Sequence, residues 1–349
     1  YHTLSTEHLR FVAVKEVDGY AVAEAAVQVP AIQPGHQEAV ALPDELVMPG
    51  AGETWLTLRA ELAVPTVWAD PGHEVAAGQF ELTAPESIST LPTWPTPPLL
   101  KPSEPVIMLG SAQFDAHTGR LLRLYGMDVD GPRLELWRAP TDNDRSSARG
   151  SFELSRPEET DGEGVPGPSS EQRWRDRGLD RLVHRLDQIS CDHDQLLAAV
   201  RVSAAGSNLF VDVTYHWRLM DGLALLVNVV PSPEWDCTWP RVGVRFDLPR
   251  ELRYASWFGT GPNESYPDTR QAARVGRFTA DIDELNVAYS RPQETGHRGE
   301  LRSLVISDGT SARLGVTTWP NRSHHRPGFT LSAYTPQQLD LARHPYQLV

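Results

Sequence analysis

Cysteine is scarce in this sequence: 349 residues hold only Cys191 and Cys237. Two alone cannot build a disulfide framework or a metal site, so they read as free thiols of a cytoplasmic protein. Lysine is scarcer still for its kind, with Lys15 and Lys101 the only two, so arginine carries nearly all the positive charge. That charge is outweighed, 32 Lys and Arg against 46 Asp and Glu, for a net charge of −14. Phosphate binding needs a basic face, which argues against nucleic acid as a partner. Long apolar runs are missing too. Stretches such as Leu223 to Val230 fall far short of the roughly 20 residues that cross a bilayer, so no membrane is expected. No signal peptide is visible. What remains, at 40% hydrophobic and 22% charged, is enough chain for two or more domains with real cores.

Residues 1–84 read as short strands. Phe11–Val14 runs into Val17-Asp18-Gly19-Tyr20, a hairpin signal, and Ala21–Val29, Thr54–Leu62 and Ala76–Leu82 follow. Strands at this spacing suggest an immunoglobulin-like β-sandwich. His73 and Glu74 follow Pro71-Gly72 and read as turn polarity rather than an acid/base pair. Prolines at 85, 92, 95, 97, 98, 102 and 105 make residues 85–105 a proline-rich linker, with Trp94 docking on a neighbour. From Val106 on, the chain is again β-rich. Phe114 to Leu121 is a hairpin, and Arg156 to Ser170 a polar loop. Glu171 to Arg177 is a short helix that Gly178 stops before a strand. Val211, Val213, Tyr215 and Trp217 alternate with Asp212, Thr214, His216 and Arg218, giving one packed and one wetted face. Asp221-Gly222 turns this strand into the next. Thr335, Pro336 and Gln338 form a capping box that opens a short helix.

Four motifs carry specific chemistry. Trp137-Arg138-Ala139-Pro140-Thr141-Asp142-Asn143-Asp144 predicts a rigid corner of arginine and carboxylates. Gly259-Thr260-Gly261-Pro262-Asn263-Glu264-Ser265-Tyr266-Pro267-Asp268-Thr269-Arg270 is a bent polar loop. Pro292-Gln293-Glu294-Thr295-Gly296-His297-Arg298 and the stretch from Phe329 to His344 complete the set. In this order, and preceded by Trp68-Ala69-Asp70-Pro71-Gly72-His73-Glu74-Val75-Ala76, they resemble the large bacterial β-galactosidases of glycoside hydrolase family 2 over essentially the whole chain. One departure is Thr269, which places Arg270 one residue late.

The resemblance implies an all-β chain: an immunoglobulin-like sandwich over 1–84, the linker over 85–105, and over 106–349 a C-terminally truncated, antiparallel super-sandwich like that of galactose mutarotase. It further implies a longer parent enzyme that hydrolyses terminal β-D-galactosides such as lactose with retention. Such chemistry needs two carboxyl groups roughly 5 Å apart. In the family these are glutamates of a TIM barrel. No strand–helix alternation of that kind occurs here, so no catalytic residue is assigned and the fragment is expected to be inactive. Magnesium and sodium belong to the barrel site. The implied partners are the barrel domain, a β-galactoside substrate and further copies of the chain.

The residues themselves point the same way. Asp142 and Asp144 are flanked by Arg138 and Arg145, which favours their charged forms and suits an ion-pair network. Trp137, Asn143, Glu264, Tyr266, Asp268, Arg270, Glu294, Arg298 and His344 join them as structural or cleft-lining residues. Cys191-Asp192-His193-Asp194 is discounted as a metal cluster, because four adjacent residues do not all converge on one ion. His324-His325 reads as a solvated loop. The alternatives are an oligomerisation scaffold, or a carbohydrate-binding or mutarotase-like module. The module would have a concave face lined by Trp217, Trp235, Trp239 and Trp257, and a Glu264–histidine pair.

Overall fold

A computed structural model describes residues 8–32, 35–82, 94–97, 104–145, 168–321, 323 and 325–348. The chain is antiparallel β throughout, as the sequence implies, and forms two compact units. The first comprises Tyr1–Pro92, Arg253–Leu285 and Gly296–Leu331; the second comprises Thr93–Leu252, Asn286–Thr295 and Ser332–Val349. Most of the linker segment, the 156–167 part of the polar loop and His324 lie outside the described residues.

The first unit begins with β1 (Leu9–Val17) and β2 (Tyr20–Val27), then a single helical turn, α1 (Asp44–Val47), then β3 (Thr54–Leu62) and β4 (Glu74–Glu81). The sheet order is β2-β1-β3-β4. Asp18 and Gly19 take φ of 50° and 76°, the left-handed pair that matches hairpin twist. A side chain at Gly19 would also meet Phe258 and Arg277 at 2.9 Å. Ala13, Leu46 and Leu56 form the centre of this sheet's apolar face.

The second unit holds β5 (Val106–Leu109), β6 (Ala112–Asp115), β7 (Leu121–Leu124), β8 (Met127–Glu135), α2 (Asp142–Arg145) and α3 (Ser170–Asp176). Then come β9 (Leu182–Cys191), β10 (Gln195–Ala204), β11 (Phe210–Met220), β12 (Gly222–Pro231) and β13 (Gly243–Asp247). Two sheets result, ordered β12-β11-β10-β9 and β13-β8-β7-β6-β5. Both contribute to one apolar core that includes Phe114, Leu136, Trp137, Leu196, Val202, Val211 and Val213. The Tyr215 hydroxyl accepts from the Leu134 amide at 2.7 Å, linking the sheets. Burial pushes that phenol up to about 12.

The predicted helix at 171–177 is α3, capped by the Ser169 side chain on the Gln172 amide. Gly178, at φ 77°, ends it in the left-handed conformation that glycine adopts without penalty. His216 departs from the predicted wetted face. It is buried, bonded to the Gln195 side chain at 2.9 Å, with Trp94 edge-on at 5.1 Å.

The first unit resumes with β14 (Tyr254–Gly261), β15 (Arg274–Asp281), α4 (Ile282–Leu285), β16 (Ser303–Ser307) and β17 (Ala312–Thr317), ordered β15-β14-β16-β17. This sheet packs in one unit with the N-terminal strands. Polar side chains join the two sheets. Glu53 takes a bidentate contact from Arg302, with Nη2 at 2.7 Å, and Arg274 reaches Glu74 at 2.7 Å. The second unit closes with α5 (Pro336–Leu341), whose capping box of Thr335 and Gln338 is present.

The tryptophans proposed for a sugar-binding face do not form one. Trp217 is buried between Phe114 and Phe246 in the second unit. Trp257 is buried in the first, against Phe278 and Phe329. Trp235 and Trp239 pack edge to face at 5.4 Å, and the Trp235 indole donates to the Phe210 carbonyl. Large rings flanked by core residues gain more from burial than from lining an open surface.

Candidate functional site

The signature over 137–144 leaves β8 and turns into α2. Trp137 and Ala139 are fully buried, which fixes the backbone on both sides of Arg138. The Arg138 guanidinium grips Asp144 with two parallel contacts, Nη1 to Oδ2 at 2.6 Å and Nη2 to Oδ1 at 2.8 Å. The Thr141 amide and hydroxyl add 2.7 and 2.8 Å contacts to the same Oδ2. This is the rigid corner predicted, with a correction: the arginine's partner is Asp144. Asp142 is exposed, with Arg145 at 3.6 Å, and Asn143 is exposed beside it. Both aspartates lie in the single turn of α2, where a spacing of two positions puts them on opposite faces, whereas extended chain would have put them on the same side.

Sequence reasoning missed what lies over this corner. Arg138 stacks on Trp174 of α3 at 5.2 Å, while Arg175 stacks on Trp137 at 5.0 Å, and the two indoles meet edge to face at 6.2 Å. Arg175 is further held by Glu171 and by both oxygens of Asp340. The Trp-Arg spacing at 174–175 was visible, but only as helix periodicity.

The third motif divides between the units. Glu294, in the second, is buried, donates its amide to the Ala139 carbonyl at 3.1 Å and pairs with Arg241. Gln293 accepts from the Asp142 amide at 3.3 Å, so this segment braces the signature turn. Gly296 and Arg298 belong to the first unit. There the Gly296 amide donates to Glu264. Arg298 is 4% exposed and donates to the carbonyls of Leu285 at 2.5 Å and Pro262 at 3.0 Å, with Trp257 beneath it. Burial draws its pKa down, and neighbouring Glu264 opposes that.

Tyr266 lies beside His297, ring centres 5.3 Å apart. The extra residue, Thr269, has a structural account. Its hydroxyl accepts from the Tyr266 amide at 3.1 Å and its own amide returns to the Tyr266 carbonyl at 2.9 Å, closing a turn. Asp268, on that turn, and Arg270, just after it, are exposed. His344 is also exposed, stacked on Tyr346 at the start of a final helical turn.

Among the described residues, Asp192, His193 and Asp194 bring one ligand-type atom each within 4.8 Å of one another, more convergence than their adjacency suggested. Asp192 is already engaged, accepting from the amides of Asp194 and Gln195 and from the Gln195 side chain. Those contacts make a turn rather than a vacant ligand set. Cys191 and Cys237 form no disulfide. No helix among the described residues is long and apolar enough to cross a membrane.

Comparison with known proteins matches this architecture. The family described as Beta galactosidase small chain covers residues 110–349, and Beta-galactosidase, domain 4, covers 1–83. A β-galactosidase of Arthrobacter sp. (strain B7) is 41% identical over 323 residues, 91% of this chain and 31% of that protein. A β-galactosidase of Klebsiella pneumoniae is 31% identical over 292 residues, 78% of this chain and 27% of its own length. The β-galactosidase 2 of Enterobacter cloacae is 28% identical over 324 residues, 88% and 29%. The chain thus spans less than a third of the length of these curated relatives. It belongs to the β-galactosidase small-chain family, preceded in the same chain by a β-galactosidase domain 4.

Proposed function

We propose that this chain is the C-terminal, non-catalytic portion of a cytoplasmic β-galactosidase whose whole form hydrolyses terminal β-D-galactosides, lactose among them, with retention. The observation that carries the reading is the state of the motif carboxylates. Asp144 and Glu294 are tied to arginines, and Glu264 accepts a backbone amide. A general acid or nucleophile must present its carboxyl oxygens to substrate, whereas these carboxylates are already held by an arginine or a backbone amide. The motif residues therefore serve as bracing around the signature turn and the Pro262–Glu264 loop. Catalytic glutamates, magnesium and sodium belong to a barrel domain of the parent, which this chain would support along with contacts between copies.

The test is hydrolysis of a chromogenic β-galactoside by the purified chain, alone and then mixed with a separately produced barrel portion from the Arthrobacter relative. Buffer-level turnover alone, with a gain on mixing, supports the reading. Turnover well above buffer by the chain alone overturns it.

A further inference from the structure

The second unit contains a polar cleft of about 270 Å³ that none of the family motifs explains. Its polar wall consists of Arg133, Glu135, Asp180, His184, Arg245 and Gln337, over a floor of leucines. Three strands and α5 fix this wall. Glu135 ends β8, where one oxygen takes the Trp137 amide at 3.3 Å and the Gln337 side-chain amide at 3.5 Å. Arg245 of β13 reaches its other oxygen at 3.1 Å. On β9, His184 donates through Nε2 to the Leu134 carbonyl at 3.0 Å. A carbonyl can only accept, so the ring's Nδ1 is the lone-pair nitrogen. Burial, helped by the charges of Arg133 and Arg245, draws the imidazole down and keeps it neutral. Burial likewise pushes the Glu135 carboxyl up, against the pull of Arg245.

Charge in this cleft is balanced. Arg133 and Arg245 face Glu135 and Asp180 on the wall, and Asp247 pairs with both arginines from outside it. An anion would find its positive partners already taken. A neutral ligand whose groups both donate and accept would meet the arginine and amide donors on one side and the carboxylate and imidazole acceptors on the other. Hydroxyls do both, and the C–H face of a sugar ring suits the leucine floor. The volume lies just below the roughly 300–1,000 Å³ of ordinary ligand clefts, which admits one ring and not a chain of them.

We propose that the Glu135–His184–Arg245 cleft binds a single neutral monosaccharide, with Glu135 and Gln337 hydrogen-bonded to adjacent hydroxyls. This goes beyond the scaffold reading and does not require it, because a binding titration and a hydrolysis assay fail separately.

The experiment is calorimetric titration of the full chain with galactose, and in parallel with galacturonate and inorganic phosphate, across the millimolar range. Glu135→Gln and Gln337→Ala serve as variants, each checked by circular dichroism for an unchanged melt. Saturable galactose binding, weakened roughly tenfold in either variant as one hydrogen bond to a charged or amide group is lost, supports the site. Absence of saturable galactose binding overturns it. So does stronger binding of galacturonate or phosphate, or galactose binding that neither variant changes.

Discussion

Gln79 and Val275 exchange two hydrogen bonds across 196 positions of sequence: the Gln79 side-chain amide donates to the Val275 carbonyl at 2.8 Å and accepts from the Val275 amide at 2.8 Å. A side chain on β4 thereby does what a neighbouring strand would do for β15. Gln79→Leu leaves one backbone donor and one acceptor unpaired. Each such loss costs about 1–3 kcal/mol, so the urea midpoint should fall markedly, and more than for Gln79→Glu, which keeps the acceptor. Equal midpoints in Gln79→Leu and the native chain would remove this pairing from the account.

At the signature corner the two aspartates should separate cleanly. Asp144→Asn and Arg138→Ala each break a mostly buried bidentate pair and should destabilise by ~2–4 kcal/mol, somewhat below the range for fully buried pairs. Asp142→Ala touches an exposed group and should stay within about 0.5 kcal/mol. Chemical denaturation of the three variants decides between this assignment and a shared role.

Gly178→Ala tests the helix stop. The residue sits at φ 77°, and a Cβ there would come 2.4 Å from that of Ala204. Strain and overpacking together should cost roughly 2–4 kcal/mol. A melt unchanged from the native protein would mean that the turn between α3 and β9 reshapes freely.

His184 and His216 give the chain an acid-sensitive limb. Burial lowers both below the 6.5 of a free imidazole. The unfolded chain therefore binds more protons than the native one as pH falls through that value. Their contribution is complete above 6.5 and is lost progressively below it, towards the folded-state values. Urea midpoints should drop between about pH 7.5 and pH 5.5, and the drop should shrink in the double variant His184→Gln, His216→Gln. An identical drop in that variant would assign the limb to other groups.

Local patterns were the legible part of the sequence. The Asp18-Gly19 turn, the stop at Gly178, the capping box at Thr335 and the alternation of β11 all depend on near neighbours, and all are present. The Arg138 corner was legible in type but not in pairing, since the one helical turn that turns Asp142 outward leaves no trace in composition. His216, Trp217 and Trp257 were misplaced because alternation predicts which side of a strand a residue takes, not what covers that side; Trp235 and Trp239 lie between two strands and pack on each other. The contacts of Gln79 with Val275 and of Glu53 with Arg302, 196 and 249 residues away, could not be read at all. The cleft at Glu135 went unseen for the same reason: its wall is drawn from β8, β9, β13 and α5.

The discontinuous make-up of the first unit bears on how the chain emerges from the ribosome. Its N-terminal sheet is synthesised first, yet Glu53 waits for Arg302 and Gln79 for Val275. The second unit's long first segment, Thr93–Leu252, is made in between. Until then the nascent sheet lacks those two partners, while its edge strands β2 and β4 and the side chains of Tyr20, Val22 and Phe80 are exposed even in the complete fold. Exposed edges of this kind recruit other strands, so a pause in translation before residue 302 leaves the chain at its most aggregation-prone and most dependent on chaperones.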